Sequence, residues 1–256
     1  MRALLPLLVL LAICVAPATG AAGKRAPARP ELARRHTPRL IGCRPGRRSE
    51  VFQGSARKHE IALTFDDGPG PTPPASDFVR LLAREHVPAT FFEIGDQIPE
   101  FDASGAAERL MVAHGDMIGN HTWTHPEMTR LSRSEQRRQL ERTNQAIKRR
   151  TGFEPCLWRP PYGDINRRLV ALARSLGMVT VMWDIDPTDW ALPGAHTIYL
   201  RVVSAAHNGA IVIQHFGGGP RYETLAALPK EIRALRAKGY RFVTVAQLLG
   251  LKLLYR

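Results

Sequence analysis

The sequence predicts an α/β fold with a mainly parallel sheet, and two observations support this. From about residue 58 onward, short apolar runs alternate with amphipathic stretches of helical period. Repeated β-α units of this kind imply parallel strands joined by helices. The chain has 256 residues and is 44% hydrophobic, enough to bury a sizeable core in one large domain or two small ones. Alternation alone does not decide whether the sheet closes into a barrel.

Seven strands and six helices are predicted in alternating order. The strands are 61–65, 89–94, 117–119, 156–159, 179–184, 210–214 and 241–243. The helices are 74–86, 104–113, 133–150, 166–176, 196–207 and 222–238. Ser132 with Glu135 resembles a capping box, and Gly152 and Gly177 are typical of helix ends. The absence of a second linker predicts a single domain.

The N-terminus has the pattern of a secretory signal peptide over residues 1–22. Arg2 precedes an apolar run over 3–15, and small residues follow over 16–22. A secreted or cell-envelope location is therefore predicted, with no transmembrane segment once the signal is removed.

A basic, proline-containing extension is predicted over 23–57. Between residues 24 and 48 it holds nine Lys or Arg against one acid, within a net charge of +13 for the chain. Such a segment is expected to be extended or disordered, and it could bind anionic cell-envelope polymers. A surface tether and a solubilising spacer both remain open. The absence of interleaved aromatic residues argues against a nucleic-acid partner.

Two cysteines remain after removal of the signal peptide, namely Cys43 and Cys156. In an oxidising compartment, an even pair predicts a disulfide that ties the extension to the main domain. Two unrelated thiols are the alternative.

Adjacent carboxylates, Asp66 and Asp67, end the first predicted strand in the sequence I-A-L-T-F-D-D-G-P. Neighbours on an extended chain point to opposite faces, so one acid could bind a metal while the other handles a proton. A solvated Asp-Gly turn is the simpler reading of this motif alone. The remaining polar motifs decide between the two.

Residues whose side chains could bind a metal or transfer a proton follow most of the other strands. In a parallel α/β fold these positions lie at one face of the sheet. His121 and His125 are four residues apart, and two imidazoles with a carboxylate are a usual ligand set for catalytic zinc. Arg159 could pair with a carboxylate, and the backbone amide of Tyr162, after two prolines, could donate to an oxyanion.

His215 ends an apolar strand and precedes three glycines. Asp189 could orient this histidine, and Trp190 could form a pocket wall. A buried structural histidine and a core tryptophan are the alternatives.

Five motifs in this order resemble those of the polysaccharide deacetylase family, also called carbohydrate esterase family 4 or the NodB-type homology domain. They are T-F-D-D-G-P at 64–69, H-T-W-T-H at 121–125, R-P-P-Y-G at 159–163, D-P-T-D-W at 186–190 and I-Q-H at 213–215. The resemblance implies a catalytic domain over 58–250 and a C-terminal tail over 251–256. It also implies a distorted, incompletely closed (β/α) barrel with about seven parallel strands.

The activity that the resemblance implies is hydrolysis of N-acetyl groups on a glycan, of chitin, chito-oligosaccharide or peptidoglycan type, by metal-activated water. Asp67, His121 and His125 would bind a divalent metal, with zinc as the first expectation and other divalent ions left open. Asp66 would be the general base and Arg159 would pair with it. His215 would be the general acid, tuned by Asp189. The Tyr162 amide would bind the oxyanion, and Trp190 would shape the acetyl pocket.

Two residues depart from the family pattern. Ile213 stands where Leu is frequent, and Phe216 follows His215 where an acid is common. Neither change removes a reacting group, although Phe216 would change the charge and the wall of the site near His215. An O-acetyl esterase acting on acetylated xylan and a non-catalytic envelope glycan-binding protein remain as alternative functions.

Overall fold

Strands and helices alternate over residues 38–256, which are the residues that the computed structural model describes. The strands are β1 (Leu40–Arg44), β2 (Glu50–Val51), β3 (Glu60–Gly68), β4 (Thr90–Glu93), β5 (Met117–Asn120), β6 (Leu157–Trp158), β7 (Val179–Val181), β8 (Ala210–His215), β9 (Arg241–Phe242) and β10 (Lys252–Tyr255). The helices are α1 (Ala75–Arg84), α2 (Gln97–Phe101), α3 (Ala106–His114), α4 (Arg133–Thr151), α5 (Arg167–Ser175), α6 (Ala195–Ala205), α7 (Tyr222–Ala237) and α8 (Val245–Leu248). The predicted signal peptide and residues 23–37 of the predicted extension lie outside the described residues.

One parallel sheet forms the centre of the fold. Its strand order is β2-β7-β6-β5-β4-β3-β8, and β9 pairs with the beginning of β3. The sheet curls until an isolated parallel bridge joins Ile185, beyond the end of β7, to Val212 on β8. This curled, incompletely closed barrel confirms the predicted fold class.

The alternation of residues along β3 explains how the barrel is filled. The ring of Phe65 packs outward against Phe78 of α1 and Phe91 of β4, with ring centroids 5.7 and 5.3 Å apart. Thr64 faces the other way, where its hydroxyl accepts a hydrogen bond from Arg159 at 2.7 Å. Apolar side chains therefore hold the sheet to its helices, while polar ones enter the barrel interior beneath the site.

Local capping chemistry fixes the longest helix, α4. The Ser132 hydroxyl accepts from the Glu135 N–H at 3.3 Å, and Gly152 ends the helix in the left-handed conformation with φ of 73°. Both predicted ends of this helix are confirmed.

The folded unit is longer at both ends than the predicted limits of 58–250. Strand β1 lies in the predicted extension and pairs antiparallel with β10, which lies in the predicted tail. Strand β2 also lies in the extension and forms one edge of the main sheet beside β7. These strands have only two to five residues, too few to form a hydrophobic period in the sequence.

A disulfide joins β1 to the residue before β6. Cys43 and Cys156 are bonded with their Cα atoms 5.5 Å apart, which confirms the predicted pair. Within residues 38–256, no helix is both long and apolar enough to cross a membrane.

Candidate active site

Both carboxylates at the end of β3 line one cleft, although regular strand geometry would send them to opposite faces. The pairing with β4 shifts register between Phe65 and Gly68, which marks a β-bulge. Asp67 lies in that bulge with φ of 67°, so its side chain turns back toward the side that Asp66 occupies. The sequence-based expectation of opposite faces was wrong for this reason.

Asp67, His121 and His125 form the group that could hold a metal ion. Their donor atoms all lie within 4.8 Å of one another. Nε2 of His121 and Nε2 of His125 lie 3.2 and 3.1 Å from Oδ1 of Asp67. That oxygen is buried and makes no hydrogen bond within the described chain. Its lone pairs and the two Nε2 atoms therefore converge on the same small volume.

The Nδ1 atoms of these two histidines contact other groups of the protein. His121 donates from Nδ1 to the carbonyl oxygen of Arg159 at 2.8 Å, which leaves Nε2 as the lone-pair nitrogen of the neutral ring. Nδ1 of His125 lies 3.1 Å from the Tyr162 hydroxyl. This second layer orients both rings toward Asp67, as histidine ligands of a metal require.

Electrostatics favour the ionised form of Asp67. Burial acts to raise its pKa, but close contact with His121 and His125 and the charge near His215 hold the pKa well below its usual value. An anionic carboxylate with two imidazoles suits zinc and several other divalent ions. The donor chemistry of these residues therefore fits a divalent metal.

Asp66 is buried against a cation. Its Oδ1 accepts from Nη1 of Arg159 at 2.8 Å, while its Oδ2 lies 3.9 Å from Nε2 of His121. One oxygen is thus engaged by the guanidinium, and the other faces the metal-ligand group. This arrangement leaves Asp66 one oxygen able to accept a proton beside the candidate metal position.

Arg159 is fully buried below the cleft, and its donors are matched by acceptors on β3, on β7 and on the residue that follows β7. Nη1 also reaches the Thr64 hydroxyl at 2.7 Å, and Nε and Nη2 each donate at 3.1 Å, to the carbonyl oxygens of Val181 and Met182. Burial lowers the pKa of Arg159, while Asp66 acts in the opposite direction. This network fixes the guanidinium in one position.

His215 forms a dyad with Asp189 on the opposite wall. Its Nδ1 lies 2.7 Å from Oδ1 of Asp189, and its backbone N–H donates to Oδ2 at 2.8 Å. The Thr224 hydroxyl, on α7, also donates to Oδ2 at 2.7 Å. Since Nδ1 is bound to Asp189, Nε2 is the ring nitrogen that remains for a ligand.

Tyr162 and Trp190 stand at the mouth of the cleft. Tyr162 lies in a single 3₁₀ turn, Pro161–Gly163, with φ of 59°, and its ring packs edge-on against His125 at 4.6 Å between centroids. Trp190 lies in a second 3₁₀ turn, Asp189–Ala191, directly after the dyad carboxylate. Both side chains are largely exposed, as substrate-contacting walls would be.

The cleft has a volume of about 570 Å³ and lies at the carboxyl ends of the strands. All the predicted site residues line it except Arg159 and Asp189, which lie behind Asp66 and His215. The structure thus brings the whole predicted set together. Their individual catalytic roles stay predictions.

Several lining or supporting residues were missed by sequence reasoning. Arg221 lines the cleft and is buried, with hydrogen bonds from its guanidinium to the carbonyl oxygens of Gly217 and Gly218 at 2.8 and 3.1 Å. A Cβ on Gly218 would come within 2.6 Å of Oδ2 of Asp67, so this loop packs directly on the Asp67 carboxylate. The triple glycine was the available signal for such a close approach.

Phe216 does not form part of the cleft lining. It is fully buried, its ring centroid lies 5.1 Å from that of Phe91, and a Cβ on Gly68 would collide with it at 2.3 Å. The departure from the family pattern at this position therefore changes the core behind the strand rather than the wall near His215.

Left-handed backbone is concentrated around the cleft. Seven non-glycine residues of the described chain have positive φ, and all but His86 lie at the end of β3 or in the segments that follow other strands on the side of the site. The six site residues are Asp67, Thr122, His125, Tyr162, Thr188 and Leu192. Side chains in this conformation carry strain, which other contacts must offset.

Comparison with known proteins gives one family. A family model described as polysaccharide deacetylase matches residues 53–181. A peptidoglycan-N-acetylglucosamine deacetylase of Listeria monocytogenes serotype 1/2a is 36% identical over 206 residues, 80% of this chain and 41% of the relative. One of Bacillus cereus is 40% identical over 201 residues, 75% of this chain and 89% of the relative. A chitooligosaccharide deacetylase of Bradyrhizobium is 36% identical over 205 residues, 73% and 90% of the two chains.

Solved structures have the same fold. The Bc1960 peptidoglycan N-acetylglucosamine deacetylase superposes with a TM-score of 0.75 at 32% identity, covering 79% of this chain and 94% of that chain. BA3943 of Bacillus anthracis, described as a pseudoenzyme of carbohydrate esterase family 4, gives a TM-score of 0.71 at 30% identity, with 78% and 68% covered. Proteins of this fold therefore include one described as a pseudoenzyme, so an activity has to be argued from the residues of the site and not from the fold.

Proposed function

The chain belongs to the polysaccharide deacetylase family, and on that premise we propose that it is a metal-dependent hydrolase that removes N-acetyl groups from a glycan. The substrate class is peptidoglycan or chito-oligosaccharide, because the relatives are named as deacetylases of these glycans. The chain spans only 41% of the Listeria relative, so this activity is argued from the site itself.

One observation supports the proposal above the others. A single cleft of about 570 Å³ is lined by a carboxylate that contacts an arginine, by three possible metal-donor atoms and by a histidine bound to a carboxylate. Amide hydrolysis needs this combination: a proton acceptor for water, stabilisation of the oxyanion, and a proton donor for the leaving amine. A binding protein needs no such set.

Each residue has a defined task in this proposal. A divalent ion held by Asp67, His121 and His125 would polarise the acetyl carbonyl and lower the pKa of water. The free oxygen of Asp66 takes the proton from water, while Arg159 holds the other oxygen and orients the carboxylate. We assign zinc as the first expected ion on the basis of the donor set.

Collapse of the tetrahedral adduct then breaks the carbon–nitrogen bond. Nε2 of His215 gives its proton to the departing sugar nitrogen, and Asp189 stabilises the imidazolium before transfer. The Tyr162 backbone amide, held in its 3₁₀ turn, donates to the oxyanion, and Trp190 packs against the acetyl methyl group. Acetate and the free amine are the products.

We also propose that the protein works outside the cytoplasm. The predicted signal peptide over 1–22 supports export, and the disulfide between Cys43 and Cys156 suits an oxidising compartment. The basic segment over 24–48 supports association with anionic envelope polymers.

The experiment that tests the function compares two neighbouring carboxylates. Asp66→Asn is expected to keep the metal and lose at least about 10²-fold in acetate release, because only the proton acceptor is removed. Asp67→Asn is expected to lose both metal and activity. Elemental analysis and acetate release from chito-oligosaccharides, peptidoglycan and acetylated xylan measure the two properties.

Asp77→Asn on α1 is the matched control, since this half-exposed carboxylate forms an ion pair with Arg80 and does not line the cleft. It should leave both properties unchanged. Near wild-type turnover in Asp66→Asn, or preferred release from xylan esters, would contradict the proposed mechanism or the proposed substrate, respectively.

A further inference from the structure

Four large apolar side chains are exposed around the cleft, and the proposed chemistry uses two of them. Tyr162 and Trp190, 70% and 56% exposed, line the cleft itself. Leu192 and Tyr222, 44% and 59% exposed, lie just outside its lining, in the segments that follow β7 and β8. We call Leu192 and Tyr222 the rim patch. Neither has a role in the reaction described above.

The two segments of the rim patch are held together by polar contacts. Nη1 of Arg221 lies 3.5 Å from the carbonyl oxygen of Trp190, and the Gly194 N–H donates to Oε2 of Glu223 at 2.7 Å. Leu192 lies between Trp190 and Gly194, and Tyr222 lies between Arg221 and Glu223. The two segments that carry the rim patch are therefore tied to each other beside Trp190, which lines the cleft.

Leu192 adopts a backbone conformation that a leucine rarely adopts. Its φ and ψ are 54° and 53°, in the left-handed region, where a glycine or asparagine is less strained. The conformation itself is required, because the Leu192 N–H donates to the Asp189 carbonyl oxygen at 3.0 Å and closes the turn that carries Asp189 and Trp190. A leucine side chain is not required for that turn.

Folding therefore does not account for this leucine. Its side chain adds strain and remains largely in water, so the core gains little from it. Backbone outliers with exposed apolar side chains at the edge of a cleft point to contact with a ligand.

We propose that the rim patch is a sugar-binding subsite, which holds the pyranose ring next to the residue whose acetyl group enters the cleft. This inference rests on the proposed deacetylase function and adds which residues hold a second sugar of the substrate. The faces of a pyranose ring expose C–H groups, which pack well on aromatic and aliphatic side chains. A glycan chain that leaves the cleft past Trp190 meets Leu192 and Tyr222 next.

The test uses Leu192→Gly and Tyr222→Ala with two substrates. For tetra-N-acetylchitotetraose, KM is expected to rise about fivefold in each variant, because an apolar contact is lost. For an aryl acetate, which reaches only the acetyl pocket, KM should not change. Tyr222→Phe should restore the wild-type KM, because the ring is kept.

Thermal unfolding separates binding from structure. Leu192→Gly is expected to unfold at the same temperature as the wild type or higher, because the left-handed strain is relieved, although its tetrasaccharide affinity falls. His86→Gly is the matched control: His86 is exposed with φ of 52° beyond the end of α1, away from the cleft. It should relieve the same strain with no change in KM.

An unchanged tetrasaccharide affinity in both rim variants, or an equal loss with the aryl acetate, would overturn the subsite. Binding of the tetrasaccharide is also measured by calorimetry, which does not require turnover. If the wild-type protein releases no acetate from any substrate, the proposed function fails, and the calorimetric comparison still decides on the rim patch.

Discussion

His215 is prepared to carry a proton by the carboxylates around it. Burial disfavours its charged form, but the contact with Asp189 and the charges of Asp67 and Asp66 outweigh burial and raise the pKa of the imidazole. A raised pKa keeps the ring protonated to higher pH. The general acid proposed here is therefore charged over a wider range than a free histidine.

This shift predicts the direction of a pH effect. The protonated ring is the active form, so kcat should fall as pH rises through the pKa of His215. Asp189→Asn removes the charge that raises this pKa, and the alkaline limb of the kcat profile should move to lower pH. Measuring kcat against pH for both proteins tests this. An alkaline limb at the same pH in the variant would show that another group controls it.

At the scale of single residues, sequence reasoning found the site residues that belong to motifs at strand ends, and it missed Arg221 and Thr224 at the start of α7. Asp66, His121 and His215 stand at or just after the ends of strands, where the carboxyl ends of parallel strands meet. Thr224 and Arg221 are ordinary residues at the start of a helix, and their contacts with Asp189 and the glycine loop depend on how α7 packs. No local pattern encodes that packing.

Helix α7 supports the acid side of the site as a unit. Besides Thr224, it carries Glu231, which is fully buried. Glu231 accepts a hydrogen bond at 3.1 Å from Nε2 of Gln214, the residue that precedes His215. Burial raises the pKa of Glu231 to about 8, with Asp189 acting in the same direction and Gln214 against it. Glu231 is therefore largely neutral at pH 7.

A neutral buried acid makes stability depend on pH. The pKa of Glu231 is higher in the folded state than its ordinary value of 4.5, so its contribution is complete below pH 4.5 and is lost as pH rises toward 8. Glu231→Gln, which keeps the shape without the charge, should be more stable than the wild type at pH 8 by up to about 4 kcal/mol. At pH 4 the two proteins should be similar.

Urea unfolding at pH 4 and pH 8 measures this difference. Glu93 and Glu108 are also buried with raised pKa values, so several groups make the free energy of unfolding of the wild type depend on pH. Only the difference between the variant and the wild type is attributed to Glu231. Glu154→Gln, at a largely exposed position, is the control and should follow the wild type. Parallel curves for Glu231→Gln and wild type would contradict the prediction.

At the scale of elements, the hydrophobic pattern predicted the strands that contain a continuous apolar run. The seven predicted strands all exist, because buried parallel strands are continuous apolar runs. Strand β2 has two residues, and its place in the sheet depends on a partner far along the chain. The bulge at Asp67 was missed for a similar reason, since strict alternation describes only an unbroken ladder.

For the whole molecule, the disulfide between Cys43 and Cys156 closes a long loop. The two cysteines are 113 residues apart, so the bond restricts the unfolded chain strongly. Replacing both with serine should lower the free energy of unfolding by about 4 kcal/mol, with metal content unchanged at 25 °C. Denaturant unfolding of the variant and of reduced wild-type protein should agree. Equal stability with and without the bond would contradict this.

The left-handed residues that surround the cleft have a consequence for attempts to improve this protein. Because Asp67, His125, Tyr162 and Leu192 are all held in that conformation, replacement by glycine at these positions should tend to raise heat resistance. A mutant library screened for survival at high temperature alone would collect such replacements. Among its most robust members would be folded proteins without Asp67 or His125, which would lack one or both of these proposed metal ligands.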